Sequence, residues 1–379
     1  MIRIKSIETF VFRTPIETPV RTAFGTMYNR PMAVVRVRDK DGAEGYGEIW
    51  CNFPVVAAEY RACLIDDVLS GMILGQNFES AAQVYQHLNQ QVHVLTLQSG
   101  EPGPFASCIA AIDMAVHDLL ARRAKQPLWA FLGGKKTSVP VYASGINPDQ
   151  PEVTVARLRR EGYGFFKLKV GFGSSLDLRN IRSVLGGLGE DESLAIDANQ
   201  GWDTTTALAM FEQIKDTRLA WIEEPLRADR PLSEWAQLSR ASTHPLAAGE
   251  NYQSEATFTA AINSQNINIF QPDIAKWGGF SGCLKVAKSA ITAGFRYFPH
   301  YLGGGIGLVA SAHLLSAAGG DGRLEVDCNP NPLRSDLLAG MLDHPAQGFV
   351  FTKEPGLGFT PDLNALRQYQ THCQQREAP

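Results

Sequence analysis

A ladder of ionisable residues closing short apolar runs constrains this chain more than any other feature. After Leu132-Gly133-Gly134 the runs VPVYASG, FFKLKVG, LAIDANQ, LAWIEEP, PLAAGE, INIFQPD, RYFPH and RLEVD alternate with helix-length segments. Seven of these runs place Lys169, Asp197, Glu223, Glu250, Asp273, His300 and Glu325 at or near their C-terminal ends. The steps between those residues are 28, 26, 27, 23, 27 and 25. Each step is about one strand-and-helix unit of a barrel that fits eight units into roughly 250 residues. Eight such runs suit a parallel barrel better than an open sheet. In a barrel the C-terminal strand ends converge on one mouth, so the seven groups are predicted to share a cavity.

Upstream, strands are followed by helices. Met32–Arg38 alternates apolar and polar residues, Asp41-Gly42 is a turn dipeptide, and Ala43–Trp50 completes a predicted hairpin. Phe105–Arg123 carries apolar residues at helical spacing. The chain therefore divides into a small α+β domain over 1–125, the barrel over 126–332, and a loop-rich segment over 333–379 that folds back on the first domain.

Composition narrows the function. The net charge is −4, with no block of like charge, which argues against a nucleic-acid surface. The six cysteines form no CxxC pair and suit a reduced interior. The N-terminus MIRIKSIETFVF alternates like a strand, and no uninterrupted apolar run approaches the roughly 18 residues of a membrane span. A cytoplasmic protein with neither membrane nor nucleic-acid partners is the expectation.

The strand-end groups suggest their chemistry. Asp197, Glu223 and Glu250 come from three consecutive strands. Each alone would serve as a helix cap or an arginine partner, but three converging carboxylates need a cation, and an all-oxygen set favours Mg²⁺. Adjacent strand residues point opposite ways, so Glu223 rather than Glu224 is expected to face the cavity. Asp273 and His300 end neighbouring strands, where a carboxylate would fix the imidazole tautomer and raise its basicity for general-base work. His313, inside VASAHLLSA, reads as a core histidine. Lys276 is placed equally well as a substrate contact or an ion-pair partner. Glu325 could bond a backbone or an arginine; beside a carboxylate-rich metal site it could instead stay protonated and donate a hydrogen bond to a developing oxyanion, with Asp327 on the same side competing for that role. Lys167 and Lys169 lie on one face of a strand. Their mutual repulsion and desolvation are predicted to lower the pKa of Lys169, making it a base, while Lys167 stays charged and binds an anionic substrate.

The motifs KLK (167–169), DANQGW (197–202), IEEP (222–225), GEN (249–251), QPDIAKWGG (271–279), PH (299–300) and LE (324–325) together resemble the enolase superfamily, and within it the mandelate racemase subgroup. The resemblance spans nearly the whole chain. It implies an α/β fold, a modified TIM barrel, (β/α)₇β, with an N-terminal α+β capping domain. It implies one Mg²⁺ per site on Asp197, Glu223 and Glu250, and an (S)-face base at Lys169 assisted by Lys167. A His300–Asp273 dyad would serve the other face, with Glu325 as hydrogen-bond donor. The superfamily's shared step is removal of the proton α to a carboxylate, giving an enediolate. The resemblance further implies a small carboxylate substrate, a homo-oligomer, and a specificity lid in the cap. Here the lid would be Thr18–Arg30 with Trp50–Pro54. Phe24, Tyr28, Trp50 and Phe53 make it aromatic, Arg21 and Asn52 are polar readers, and Asn199 joins Lys276 as a substrate contact. The lead reading is an acid-sugar dehydratase, with racemase, epimerase or lactone cycloisomerase as alternatives. CNPNPLR (328–334) is similar to the tail of some sugar-lactone cycloisomerases in the superfamily.

Two other classes compete. Gly305–Ala310 fits GxGxxA, as in an NAD-dependent oxidoreductase, yet it follows the seventh strand rather than the first. Close approach of substrate to a helix N-terminus explains those glycines better. A non-catalytic binding protein on a barrel scaffold would have lost strand-end groups, and none is missing here.

Overall fold

The computed structural model of the chain describes residues 1–338 and 340–378. Strands Ile2–Thr22, Gly25–Asp39 and Glu44–Ile49 form an antiparallel meander. The carboxylate of Asp39 holds the Asp41-Gly42 turn by accepting the amides of Asp41 and Ala43, each at 2.9 Å. The first two strands run on through Thr22 and Gly25, so the segment expected to be a lid loop is the tip of a long β-hairpin. The helix Pro102–Arg123 begins three residues before the predicted start and packs on the meander. It is long and apolar enough to cross a membrane, but 83% of its apolar window is buried inside the fold. The strand Gln370–Glu377 pairs antiparallel with Ser6–Phe12, bringing the C-terminal part of the chain back to this sheet.

The eight apolar runs form one parallel sheet. Its strands are Val141–Ile146, Phe165–Lys169, Ser193–Asp197, Leu219–Glu223, Leu246–Ala248, Ile269–Phe270, Arg296–Tyr297 and Leu324–Asp327. The ladder runs from the seventh strand back to the first and then to the eighth, so the sheet curls and the first strand pairs with the eighth. Seven helices between Pro151 and Ala318 follow the first seven strands. The eighth is followed by the four-residue helix Pro332–Ser335. This is a TIM-like (β/α)₇β barrel under an N-terminal α+β cap.

Period two sets what fills the barrel. Tyr142, Phe165, Ala195, Trp221, Ala247, Ile269 and Phe298, one from each of the first seven strands or its immediate end, pack into a buried floor. Two residues further along each strand the inward layer turns polar, with Ser144, Lys167, Asp197, Glu223, Gln271 and His300. The aromatic floor excludes water from below, so every charge above it is held in a low-dielectric setting.

Candidate active site and metal centre

Asp197, Glu223 and Glu250 converge, each offering a carboxylate oxygen within 4.8 Å of the others, and all three are buried. Asp197 and Glu223 follow the period of their strands. Glu250 lies three residues beyond floor residue Ala247, which is out of step. The preceding Gly249 takes up the difference with φ +141, and a Cβ there would meet the Gln271 backbone. Glu224, at φ 39, is turned away from Glu223 and is held by Asn251 Nδ2 at 2.9 and 3.0 Å. The all-oxygen donor set suits a hard divalent cation. Glu250 Oε2 is buried without an aligned donor, because His300 Nε2 lies 2.7 Å away but off the hydrogen-bond direction.

Lys167 and Lys169 both point into the mouth, as period two requires. Their partners overturn the expected electrostatics. Lys169 Nζ bonds Asp197 Oδ2 at 2.5 Å; Lys167 Nζ meets Glu223 at 2.5 Å and Glu325 at 2.7 Å. Burial pushes the Lys169 ammonium down, but the carboxylates of Asp197, Glu250 and Glu223 outweigh both burial and the repulsion of Lys167, so its pKa is raised. Lys167 is buried as well, and Glu223 and Glu325 carry its pKa well above the usual lysine value. Among the protein's own side chains the lysine pair is thus held charged rather than split. Lys167 is committed to two carboxylates, not free to receive an anion.

His300 Nδ1 sits 2.7 Å from Asp273 Oδ2, and the two residues form an isolated parallel bridge beyond their strands. Burial lowers the imidazole pKa, but the Glu250 and Glu325 carboxylates and the Asp273 contact raise it to about 10. Glu325 accepts from Ser144 Oγ and from the Tyr301 amide at 3.3 Å. Burial would protonate it, yet Lys167 and His300 hold its carboxyl below the usual range, contrary to the expected neutral donor. Asp327 faces the same side but is bound elsewhere: Arg30 of the cap reaches it at 2.7 Å, Arg334 at 3.3 Å and Asn329 Nδ2 at 2.7 Å. Of the two candidates, Glu325 is the one in the mouth.

The hairpin tip closes over this cluster. Ala23 packs against Gly171 and Gly201, in the turns that follow Lys169 and Asp197. Phe24 meets Phe53 edge-on at 5.1 Å but is 59% exposed, and Tyr28 is 71% exposed. Trp50 lies under Lys276, whose Nζ is 4.8 Å from the ring centre, and Lys276 also bonds Glu250 and Asn251 at 3.0 and 3.1 Å. Asn199 is buried, donates to Asp197 Oδ2 at 3.1 Å and has no partner for its own Oδ1 among the described residues. Arg21 forms an exposed pair with Asp149 at 3.0 Å. Asn52 donates to Leu302 O at 2.6 Å. His313 is a core histidine as expected, bonded to the Trp129 amide and Leu357 O, with its pKa pushed down to about 4 by burial. A surface cleft of about 600 Å³ beside the lid is lined by Arg21, Arg157 and Arg334 and by none of the triad.

The GIGLVA helix N-terminus does not await a ligand. Glu48 of the cap accepts the amides of Gly304 and Gly307 at 2.5 and 2.9 Å. A Cβ at Gly303 or Gly304 would strike Glu48, with Met32 also in the way at Gly304, and one at Gly307 would strike Tyr301. Gly304 makes room for the cap, and Gly303 and Gly307 make room chiefly for Tyr301 of their own turn.

Sequence reasoning passed over Gln271 and Trp221. Gln271 Nε2 and Trp221 Nε1 bond Glu223 Oε2 at 2.7 and 3.0 Å. Both stand on inward positions that a strict period-two count from Asp273 and Glu223 would have marked. Groups that orient metal ligands are worth about 10- to 100-fold in metal affinity. Gln271→Leu is accordingly expected to weaken Mg²⁺ binding by about that factor, measured by calorimetry; unchanged affinity would show that Glu223 needs no such support.

Comparison with known proteins supplies the context for this geometry. Residues 152–365 match the family model described as Enolase C-terminal domain-like. Residues 6–133 match the model Mandelate racemase / muconate lactonizing enzyme, N-terminal domain. The structure of a mandelate racemase/muconate lactonizing enzyme from Bordetella bronchiseptica RB50 is 49% identical and covers 97% of this chain and 99% of its own, with TM-score 0.92. The L-talarate/galactarate dehydratase of Salmonella typhimurium LT2 is 30% identical over 100% of this chain and 94% of its own. Its structure liganded with Mg and L-lyxarohydroxamate has TM-score 0.85 at 27% identity, covering 100% of this chain and 95% of that one. The D-galactarolactone cycloisomerase of Agrobacterium fabrum is 27% identical over 97% of this chain and 99% of its own.

Proposed function

This chain belongs to the enolase superfamily, in its mandelate racemase/muconate lactonizing enzyme group, and we propose on that premise that it is a Mg²⁺-dependent acid-sugar dehydratase. The observation that carries the reading is the placement of two proton-transfer groups at opposite ends of one carboxylate arc. Lys169 touches the Asp197 end and His300 lies against the Glu250 end. Relatives that dehydrate or cycloisomerise hydroxylated acids, at full-length coverage, support the substrate class.

Asp197, Glu223 and Glu250 would hold the metal. A magnesium ion there would supply positive charge that offsets the charge developing on a substrate carboxylate, and it would oppose the carboxylate field that keeps Lys169 protonated. Lys169 then takes the α-proton, and the C–H electron pair becomes the carbon–carbon double bond. The bond from the β-carbon to its hydroxyl breaks, and His300 gives its proton to the departing oxygen, releasing water. The resulting enol tautomerises to a 2-keto acid. Among the protein's own side chains His300 is held protonated, which suits an acid that delivers a proton, to the departing oxygen in elimination or to the α-carbon from its own face in exchange. Asp273 keeps the imidazole oriented and Lys276 and Asn199 contact the substrate, beneath a lid to which Phe24, Tyr28 and Trp50 contribute. Racemisation or cycloisomerisation would use the same pair without, or in place of, a leaving hydroxide.

The test is an NMR screen in D₂O with Mg²⁺ over acid sugars, lactones and amino-acid derivatives, following α-deuteration and keto-acid formation. A 2-keto acid from at least one hydroxy acid is expected. Deuteration without keto acid would transfer the reading to a racemase, and neither signal from any compound would sink it.

A further inference from the structure

The cap does more than cover the mouth. Its strand Glu44–Ile49 continues past Ile49 along the turns that follow the sixth and seventh barrel strands, and the Trp50 amide bonds Ala275 O at 3.3 Å. Alternate residues of an extended segment share a face, and here Glu48, Trp50 and Asn52 all face the barrel. Glu48 takes the amides of Gly304 and Gly307, Trp50 lies under Lys276, and Asn52 holds Leu302 O. The chain from Tyr301 to Gly307 thus has three of its polar backbone groups satisfied by two side chains some 250 residues away in sequence. This same turn begins at His300, and its Tyr301 amide donates to Glu325.

We propose that Glu48 and Asn52 are positioning residues: by clamping the 301–307 turn they set the orientation of His300 and the Tyr301 amide, so that the His300 side of the site is assembled only when the cap is seated. The inference rests on the proton-transfer roles given above for His300 and Lys169. Glu48 is 2% exposed and accepts two backbone hydrogen bonds at the start of the helix, from Gly304 and Gly307. Lys169 is not part of this clamp. Its turn meets the cap through Ala23 instead, so the two ends of the site are supported separately.

The test compares Glu48→Ala, Asn52→Ala and Glu48→Gln, with Asp118→Asn as a control. Asp118 is a buried cap carboxylate that holds the Tyr46 and Leu357 amides, away from the mouth. Hydrogen exchange is followed by mass spectrometry across 299–308 and across 193–203. Stereospecific α-deuteration is followed with both epimers of an exchanging carboxylate. In Glu48→Ala, exchange across 299–308 is expected to rise about tenfold while 193–203 keeps its protection, in line with the loss of two buried hydrogen bonds. Deuteration on the His300 face is expected to fall about 10- to 100-fold with the Lys169 face retained. Asn52→Ala should shift both signals the same way, by less. Glu48→Gln keeps an acceptor oxygen and should recover part of each, and Asp118→Asn should move neither ratio. Unchanged protection at 299–308, or equal loss on both faces, would overturn the proposal. If the wild-type protein deuterates no carboxylate, the proton-transfer reading fails, and the exchange rates across 299–308 alone then decide whether the clamp exists.

Discussion

Lys169→Ala and His300→Asn should each remove proton transfer from one face of the substrate and leave it on the other. Loss of a positioned general acid or base costs about 10²- to 10⁴-fold, so the affected face should fall by that order. The geometry behind the split is the arc of strands. Lys169 ends the second and touches Asp197 at 2.5 Å, whereas His300 follows the seventh and lies 2.7 Å from Glu250. The two groups lie against different members of the triad, so each is expected to serve its own face of a substrate bound there. The loss should appear in kcat, with the KM for substrate little changed, because the missing interaction belongs to the transition state. Calorimetry with Mg²⁺ must accompany the kinetics, since Lys169→Ala also frees Asp197. Retained metal binding with one silent face is the expected result. A variant that keeps wild-type deuteration with both epimers would remove that residue from the proton-transfer pair.

Much of this site could be read before any coordinates, because the barrel repeats. The step of 23 to 28 residues carries strand ends to one place whatever lies between. That holds even where strands are minimal: Ile269–Phe270 and Arg296–Tyr297 are two residues long, and Asp273 and His300 stand three residues beyond them. Sequence reasoning failed where the partner came from a distant segment. The repulsion between Lys167 and Lys169 is local and visible, but Asp197, Glu223 and Glu325 face the pair from three other strands and reverse its sign. The GGGIG stretch looked like a ligand loop because the carboxylate that fills it, Glu48, belongs to another domain. Asn52 was a polar residue in the right segment whose hydrogen bond goes to the Leu302 carbonyl of the barrel. Period two placed Glu325 and Asp327 together correctly, and what separates their roles is the set of partners on Asp327: Arg30, nearly 300 residues earlier, with Arg334 and Asn329.

That separation makes a second large effect measurable. The Arg30 and Asp327 side chains are 1% and 2% exposed, and their 2.7 Å contact ties the cap to the eighth barrel strand. Breaking a buried pair leaves one charge uncompensated and costs about 3–5 kcal/mol. Among the described residues Arg30 Nε and Nη1 have no hydrogen-bond partner, so Asp327 is its principal compensation. Asp327→Asn and Arg30→Met should each lower the urea midpoint by that order of stability. The double variant Arg30→Met with Asp327→Leu should recover much of the loss, since an apolar pair carries no desolvation penalty. Burial pushes the Asp327 carboxyl up, but Arg30 and Arg334 more than offset it and leave it below the ordinary value. A depressed folded pKa stabilises above the unfolded value of about 3.9 and stops doing so as pH falls through the folded value. The gap between wild type and Asp327→Asn should accordingly be full at neutral pH and close in acid. Asp327→Asn, once folded, should still deuterate its substrate, whereas Glu325→Gln, which removes the negative charge that Lys167 and His300 share, should slow deuteration. An Asp327→Asn protein as stable as wild type but unable to exchange would instead place Asp327 in the mouth and relieve Glu325 of its role.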